Sequence, residues 1–70
     1  MIYEAKFLCN DDLYTVTLNT PKKLLERIGL DGWIANVIEA EKIYQNIGHI
    51  PHTLIELKRS EDGVAWVEMI

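Results

Sequence analysis

The chain has 70 residues, 49% of them hydrophobic, and its seven basic and eleven acidic residues leave a formal net charge of −4. This length predicts one small domain over residues 1–70, and the hydrophobic content excludes an intrinsically disordered chain. The acidic balance disfavours phosphate binding, the lone cysteine excludes an internal disulfide, and no apolar run approaches the roughly 20 residues of a membrane span.

The first two predicted elements are β-strands. Residues 2–9 and 13–19 each alternate between two faces, which is the spacing of a strand. The turn-forming cluster Asn10-Asp11-Asp12 separates them, so the pair predicts a β-hairpin. Cys9 ends the first strand on its apolar face, where we expect a buried and inert thiol.

A short helix, PKKLLERI, is predicted after the hairpin. Thr20 is its expected N-cap and Pro21 its first helical residue, because a proline at that position loses no hydrogen bond. Gly29 is expected to end the helix in a left-handed conformation. The segment therefore predicts about two helical turns.

A longer helix is expected from about residue 32 to residue 47. Asp31 is its predicted N-cap, and Gly48 is suited to the position after its end. A single kinked helix over residues 21–47 is the alternative. The glycines at positions 29 and 32 favour the break.

Residues 53–59 and 64–70 are predicted strands, joined by a turn at Asp62-Gly63. The element order is therefore ββα(α)ββ. We predict an α+β fold, a two-layer sandwich in which a four-stranded, mostly antiparallel sheet carries the helices on one face. If strands 1 and 3, or strands 2 and 4, are neighbours, the whole sheet is antiparallel.

The longer helix has a wider apolar surface than one sheet face requires, since a helix lying on a sheet needs an apolar arc of a little over 100°. The first helix could cover the surplus through Leu24, Leu25 and Ile28. Alternatively, a second copy of the chain or a different protein covers it. In either of these cases Trp33 and Tyr44 are the candidate partner-binding residues, because aromatic side chains are enriched at interfaces.

The sheet offers a second candidate surface. Its predicted polar face carries Glu4, Lys6, Thr15, Thr17, Glu56, Lys58 and Glu68. Trp66 falls on this face, which makes Trp66, Glu56 and Glu68 candidate partner-binding residues. The alternative is that Trp66 only covers the aliphatic stems of Lys58 and Lys6.

The alternation of the last two strands also predicts their buried side chains. Ala65 and Val67 are expected to point away from the polar face, together with Ile55 and Leu57.

No catalytic motif is present in the sequence, and we expect neither an enzyme nor a bound metal or cofactor. Cys9, His49 and His52 could supply a thiol and a base, or three metal ligands. Pro51 prevents a regular helix between the two histidines, so their spacing defines no metal geometry. We interpret this segment as a polar loop between a helix and a strand.

A basic cluster of Lys22, Lys23 and Arg27 supports the alternative of a dimeric nucleic-acid-binding transcriptional regulator. Glu26 lies among these side chains. The longer helix has Lys42 beside two glutamates, which repel phosphates. The charges therefore favour a protein over nucleic acid as the partner.

The expected function is that of a non-catalytic protein-binding module. Its concrete form is a small acidic inhibitor, antitoxin or immunity-type protein, of the kind phages and mobile elements encode, that blocks a larger protein. A homodimer is compatible with this function, and a structural subunit of an assembly is a further alternative. The single cysteine and the lack of a signal-peptide pattern predict a cytoplasmic location.

Overall fold

The computed structural model describes all 70 residues. Its elements, in chain order, are β1 (Ile2–Cys9), β2 (Asp12–Asn19), α1 (Lys22–Ile28), α2 (Leu30–Tyr44), β3 (His52–Ser60) and β4 (Val67–Glu68). The strands form one sheet in the order β2-β1-β3-β4, and every neighbouring pair is antiparallel. The predicted α+β class and antiparallel sheet are confirmed. No helix is long and apolar enough to cross a membrane.

The β1–β2 hairpin pairs every residue of one strand with a residue of the other, from Ile2 opposite Asn19 to Cys9 opposite Asp12. Asn10 adopts a φ of 55° in the turn, a left-handed conformation that asparagine tolerates. Alternate residues of β1 are buried, and Cys9 is among them with 2% exposure. The predicted hairpin and the buried thiol are therefore confirmed.

The core lies between the inner face of the sheet and α2. Its eight buried members are Tyr3, Ala5, Phe7, Cys9, Trp33, Ile34, Ile38 and Leu57. Phe7 is completely buried and its ring stacks on Tyr14, with centroids 5.5 Å apart. The core is thus built mainly on β1, which lies between β2 and β3 and supplies four of the eight buried residues.

One irregularity in the β1–β3 ladder changes the predicted faces of β3. Lys6 lies opposite Glu56, whereas the next residue, Phe7, lies opposite Leu54. An extra residue in one strand is left unpaired and bends the ladder. Ile55, expected in the core, is therefore 48% exposed, and Leu54 packs against the core instead.

Gly29 separates the two helices, which confirms the predicted break. Its φ of 78° and ψ of 154° belong to a region that only glycine enters readily. Its N–H donates to the carbonyl of Leu25 at 2.9 Å, and its carbonyl accepts from the N–H of Trp33 at 3.1 Å. One residue therefore ends α1 and starts α2.

The predicted helix caps are wrong. Pro21 occupies the N-cap position of α1 and Gly29 that of α2, and neither helix has a side-chain cap hydrogen bond. Thr20 is buried before α1 begins, and Asp31 lies inside the first turn of α2. Gly29 breaks the helix by its own backbone conformation. Helix α2 therefore begins at Leu30, two residues before the start that an N-cap at Asp31 would give.

The end of α2 also differs from the prediction, because Asn46 ends the helix before Gly48 is reached. Asn46 adopts a φ of 63°. The N–H of Ile47 donates to the carbonyl of Lys42 at 2.8 Å, and the N–H of Asn46 donates to that of Ile43 at 3.0 Å. This arrangement satisfies the last carbonyls of a helix around a left-handed residue.

Two alanine substitutions separate backbone strain from packing at the helix break. Gly29→Ala is expected to lower the free energy of unfolding by about 1–3 kcal/mol, because alanine is strained at that φ and ψ. Gly32→Ala is the matched control inside α2, expected to raise stability by about 0.5–1 kcal/mol. An added Cβ meets no atom within 4 Å at either position. Urea unfolding followed by circular dichroism measures both, and equal effects would contradict the strain argument.

Candidate protein-binding surfaces

The apolar surplus predicted for the longer helix lies at its C-terminal end. Tyr44 is 83% exposed and Ile43 is 70% exposed. Trp33, by contrast, is buried to 6% exposure, and its ring centroid lies 5.2 Å from that of Tyr3. Of the two aromatic candidates on the helix, only Tyr44 is freely available to a partner.

Helix α1 does not cover this surplus. None of its residues is buried, and only Leu25 packs against the core. Leu24 and Ile28 remain 38% and 40% exposed. Leu24 and Ile28 therefore do not cover the apolar surplus of α2, as one alternative predicted. They add exposed apolar surface of their own.

An open apolar groove of about 450 Å³ runs between β2 and α2. We call it the helix–strand groove. Its lining residues are Val16, Leu18, Trp33, Asn36, Val37, Ala40, Glu41 and Tyr44. Leu18 is 43% exposed on the strand side and Tyr44 projects from the helix side. The groove lies beside the outer edge of β2, where the sheet ends.

The outer face of the sheet is polar, as predicted. The register places Glu4 opposite Lys58, Lys6 opposite Glu56, and Lys58 opposite Glu68. The closest ion pair runs along β3, where Glu56 Oε1 lies 2.8 Å from Lys58 Nζ. Hydrogen bonding between these groups lowers the pKa of Glu56 and raises that of Lys58. The ionised Glu56 carboxylate is thus already paired with a cation of its own chain.

Exposed apolar side chains follow one another along the C-terminal segment, residues 64–70, which we call the C-terminal patch. Its apolar members are Val64, Trp66, Val67 and Ile70, and the side chains of successive β4 residues point to opposite faces of the sheet. Val64 is 83% exposed, Ile70 64%, Val67 54% and Trp66 36%. The strand predicted over residues 64–70 shrinks to the two residues of β4, so most of this segment lies outside the sheet.

Ala65 and Val67 do not join the core as predicted. Both are exposed, and they line an open cleft of about 320 Å³ beside Arg59. Val67 lies opposite Arg59 in the short β4 ladder. Because β4 is short and lies at the sheet edge, no helix covers this part of the inner face.

The turn before the C-terminal patch is fixed by Asp62. Its Oδ1 accepts hydrogen bonds from the N–H groups of Val64 and Ala65, at 2.8 and 3.1 Å, and from Ser60 Oγ at 3.1 Å. These donors, first of all the Val64 N–H, lower the pKa of the Asp62 carboxyl, which is therefore ionised at neutral pH. Gly63 completes the turn at a φ of 82°. These hydrogen bonds restrain the backbone that leads to Trp66.

The basic candidates of the nucleic-acid alternative lie on α1. Lys22, Lys23 and Arg27 are all exposed. Lys22 lines an open groove of about 540 Å³ together with Glu26 and Glu61. Carboxylates therefore stand beside the cations, which weakens the field these cations could offer to a phosphate backbone.

A polar contact that the sequence did not predict ties α2 to β3. Lys42 is 3% exposed, whereas a lysine is almost never fully buried unless it is paired. Its Nζ lies 3.3 Å from Glu39 Oε1 and 3.3 Å from His52 Nδ1. The only sequence signal was the i,i+3 spacing of Glu39 and Lys42, which is common on exposed helices.

His52 lies opposite Cys9 in the β1–β3 ladder, whereas His49 is exposed. The two histidines therefore have different environments. No cluster of three or more His, Cys, Asp or Glu side chains has a geometry that could hold a metal ion.

Comparison of the chain with protein-family models, curated proteins and solved structures gives no match.

Proposed function

We propose that this protein is a non-catalytic protein-binding module that acts as a small acidic inhibitor in the cytoplasm. In its concrete form it is an antitoxin or immunity-type protein, of the kind carried by phages and mobile elements. It binds a larger protein and blocks that protein's working surface. The single observation that carries the proposal is the C-terminal patch, where Trp66 lies in an exposed apolar segment of the chain that also carries carboxylates.

The composition of the patch suits a protein partner. Tryptophan is among the residues that contribute most to binding energy when a partner covers them. Glu61, Asp62 and Glu68 lie in the same stretch of the chain as the apolar residues and supply negative charge beside them. A partner with an apolar pocket bordered by lysine or arginine matches this pattern, because rim charges steer the encounter. Such a basic border is typical of proteins that handle nucleic acids.

The Asp62 turn supports the same proposal. A loop that is already ordered loses less conformational entropy on binding than a free one. The N–H groups of Val64 and Ala65 donate to Asp62 Oδ1 and hold the backbone that leads to Trp66, and the Ser60 hydroxyl donates to the same oxygen. The outer strand β4 adds only two residues to the sheet, so the surrounding surface stays accessible.

The partner is identified by affinity purification of the tagged protein from its native cells, with and without nuclease, followed by native mass spectrometry. A stoichiometric protein that survives nuclease supports the proposal. A complex lost on nuclease treatment contradicts it and favours the regulator that binds through Lys22, Lys23 and Arg27.

Trp66→Ala then tests the surface. We expect it to weaken binding of the identified partner by about 30-fold or more, the effect of losing a central aromatic contact. Tyr44→Ala is the control on α2, because Tyr44 is the most exposed aromatic residue of that helix. Isothermal titration calorimetry measures both affinities. Unchanged binding by Trp66→Ala would show that the C-terminal patch is not the contact surface, and a loss with Tyr44→Ala alone would assign α2.

A further inference from the structure

The outer edge of β2 is open and, after its first residue Asp12, carries none of the features that normally prevent strand pairing. The sheet order leaves β2 with a single neighbour, and its eight residues pair with β1 without a register shift. From Leu13 to Asn19 it contains no charged residue and no proline. Proteins usually protect such edges with charges, prolines, bulges or short strands. The opposite edge follows this rule, since β4 has only two residues.

The charges at the two ends of β2 are complementary under a two-fold rotation. Asp11 and Asp12 lie at its start, and Lys22 and Lys23 follow its end. An antiparallel copy of β2 brings the acidic end of one chain to the basic end of the other. The two-fold rotation produces this attraction at both ends of the paired strands. The residues between the two ends are uncharged, so no like charges face each other there.

We propose that the β2 edges of two copies of this chain pair with each other and form one continuous, eight-stranded antiparallel sheet. With Val16 on the two-fold axis, Thr15 lies opposite the partner's Thr17, and Asp12 lies opposite the partner's Thr20. Directly opposed residues of antiparallel strands share a face, so the helices of both copies lie on the same side of the sheet.

The helix–strand groove then lies at the centre of the dimer. Val16 meets the partner's Val16, and Leu18 meets the partner's Tyr14, beneath the exposed end of each α2. This contact covers apolar surface that α1 leaves open. An ordinary stable interface buries about 800 Å² on each partner, roughly one sixth of the 4856 Å² surface of this chain. The edge and the groove together offer a continuous strip for such an interface.

Charge-swapped variants test both the interface and its register. T15K/T17K and T15E/T17E each place like charges opposite one another twice across the proposed pairing. We expect each variant to weaken the dimer by about tenfold or more, because opposed like charges are destabilising. Mixing the two variants places opposite charges together and is expected to restore the dimer as a heterodimer. Sedimentation velocity over a concentration series measures the association, and native mass spectrometry identifies the heterodimer.

The β1 register supplies a control for effects within one chain. Thr15 lies opposite Lys6 and Thr17 opposite Glu4. T15E/T17K therefore fits its own chain and also places opposite charges across the interface, so we expect it to remain folded and dimeric. A wild-type chain that stays monomeric at 100 µM, ~10⁵ times a nanomolar dissociation constant, overturns the proposal. A dimer that is unaffected by the like-charge variants, or that mixing fails to restore, overturns it as well.

Discussion

A Phe7→Ala variant is expected to lose about half of the protein's free energy of unfolding or more. Phe7 is 0% exposed, and its ring stacks on that of Tyr14. The His52 ring meets it edge-on, with the two ring centroids 5.9 Å apart. Truncating a buried phenylalanine costs about 3–5 kcal/mol, because transfer energy is lost and a cavity remains. At roughly 0.05–0.15 kcal/mol per residue, a chain of this length has only about 4–10 kcal/mol in total.

Urea unfolding monitored by circular dichroism measures this loss. Phe7→Leu is the matched variant and is expected to cost clearly less, because it keeps most of the apolar volume. Tyr44→Ala serves as a surface reference, since that side chain makes little buried contact. If Phe7→Ala were no more destabilising than Tyr44→Ala, β1 would not be the centre of the core.

Lys42→Ala is expected to reduce stability by about 2–4 kcal/mol, a large effect for a lysine. The reason is packing, because the stem of Lys42 is buried as deeply as the apolar core residues. Lys42→Met keeps a stem of similar length and removes the ammonium. Glu39 and His52 are 51% and 26% exposed, so water can replace their contacts to Lys42. We therefore expect Lys42→Met to stay within about 1 kcal/mol of the wild type.

Thermal unfolding of the two Lys42 variants at neutral pH separates packing from charge. A Lys42→Met variant as unstable as Lys42→Ala would show that the contacts to Glu39 and His52 stabilise the protein more than the buried stem does. The reverse order, with Lys42→Ala near wild type, would contradict the burial of this side chain.

The parts of the fold that the sequence predicted correctly depend on local physics. Alternation in β1 is uninterrupted because every second side chain enters one core, and the turn residues after Cys9 follow their own side-chain preferences. Gly29 marks the helix break because no other residue adopts its backbone conformation readily.

The parts that the sequence did not predict depend on distant partners. The irregularity that turns Ile55 outward is a property of the β1–β3 pairing, and strict alternation along β3 cannot reveal it. The shortness of β4 has a related origin, since Asp62 binds the backbone that an ordinary hairpin would place in a ladder. Lys42 of α2 has its Nζ 3.3 Å from Nδ1 of His52 in β3, and a contact between two distant elements is not visible in the sequence.

The candidate surfaces show the same division. Composition and spacing identified the apolar excess of the longer helix, which is present at Tyr44. They could not distinguish Trp33 from Tyr44, because only the position of β1 under the helix places Trp33 against Tyr3. Trp66 was predicted on a strand face, and it lies in an exposed segment next to β4.

The central position of β1 also determines how the sheet can be completed during synthesis. Its hairpin with β2 is finished at Asn19, whereas its other neighbour, β3, ends at Ser60. At about 5–20 residues per second, a ribosome needs roughly 2–8 s to make the intervening segment. Until β3 has been made, the hairpin has a free edge on each side. The core is therefore completed by a strand that is synthesised after both helices.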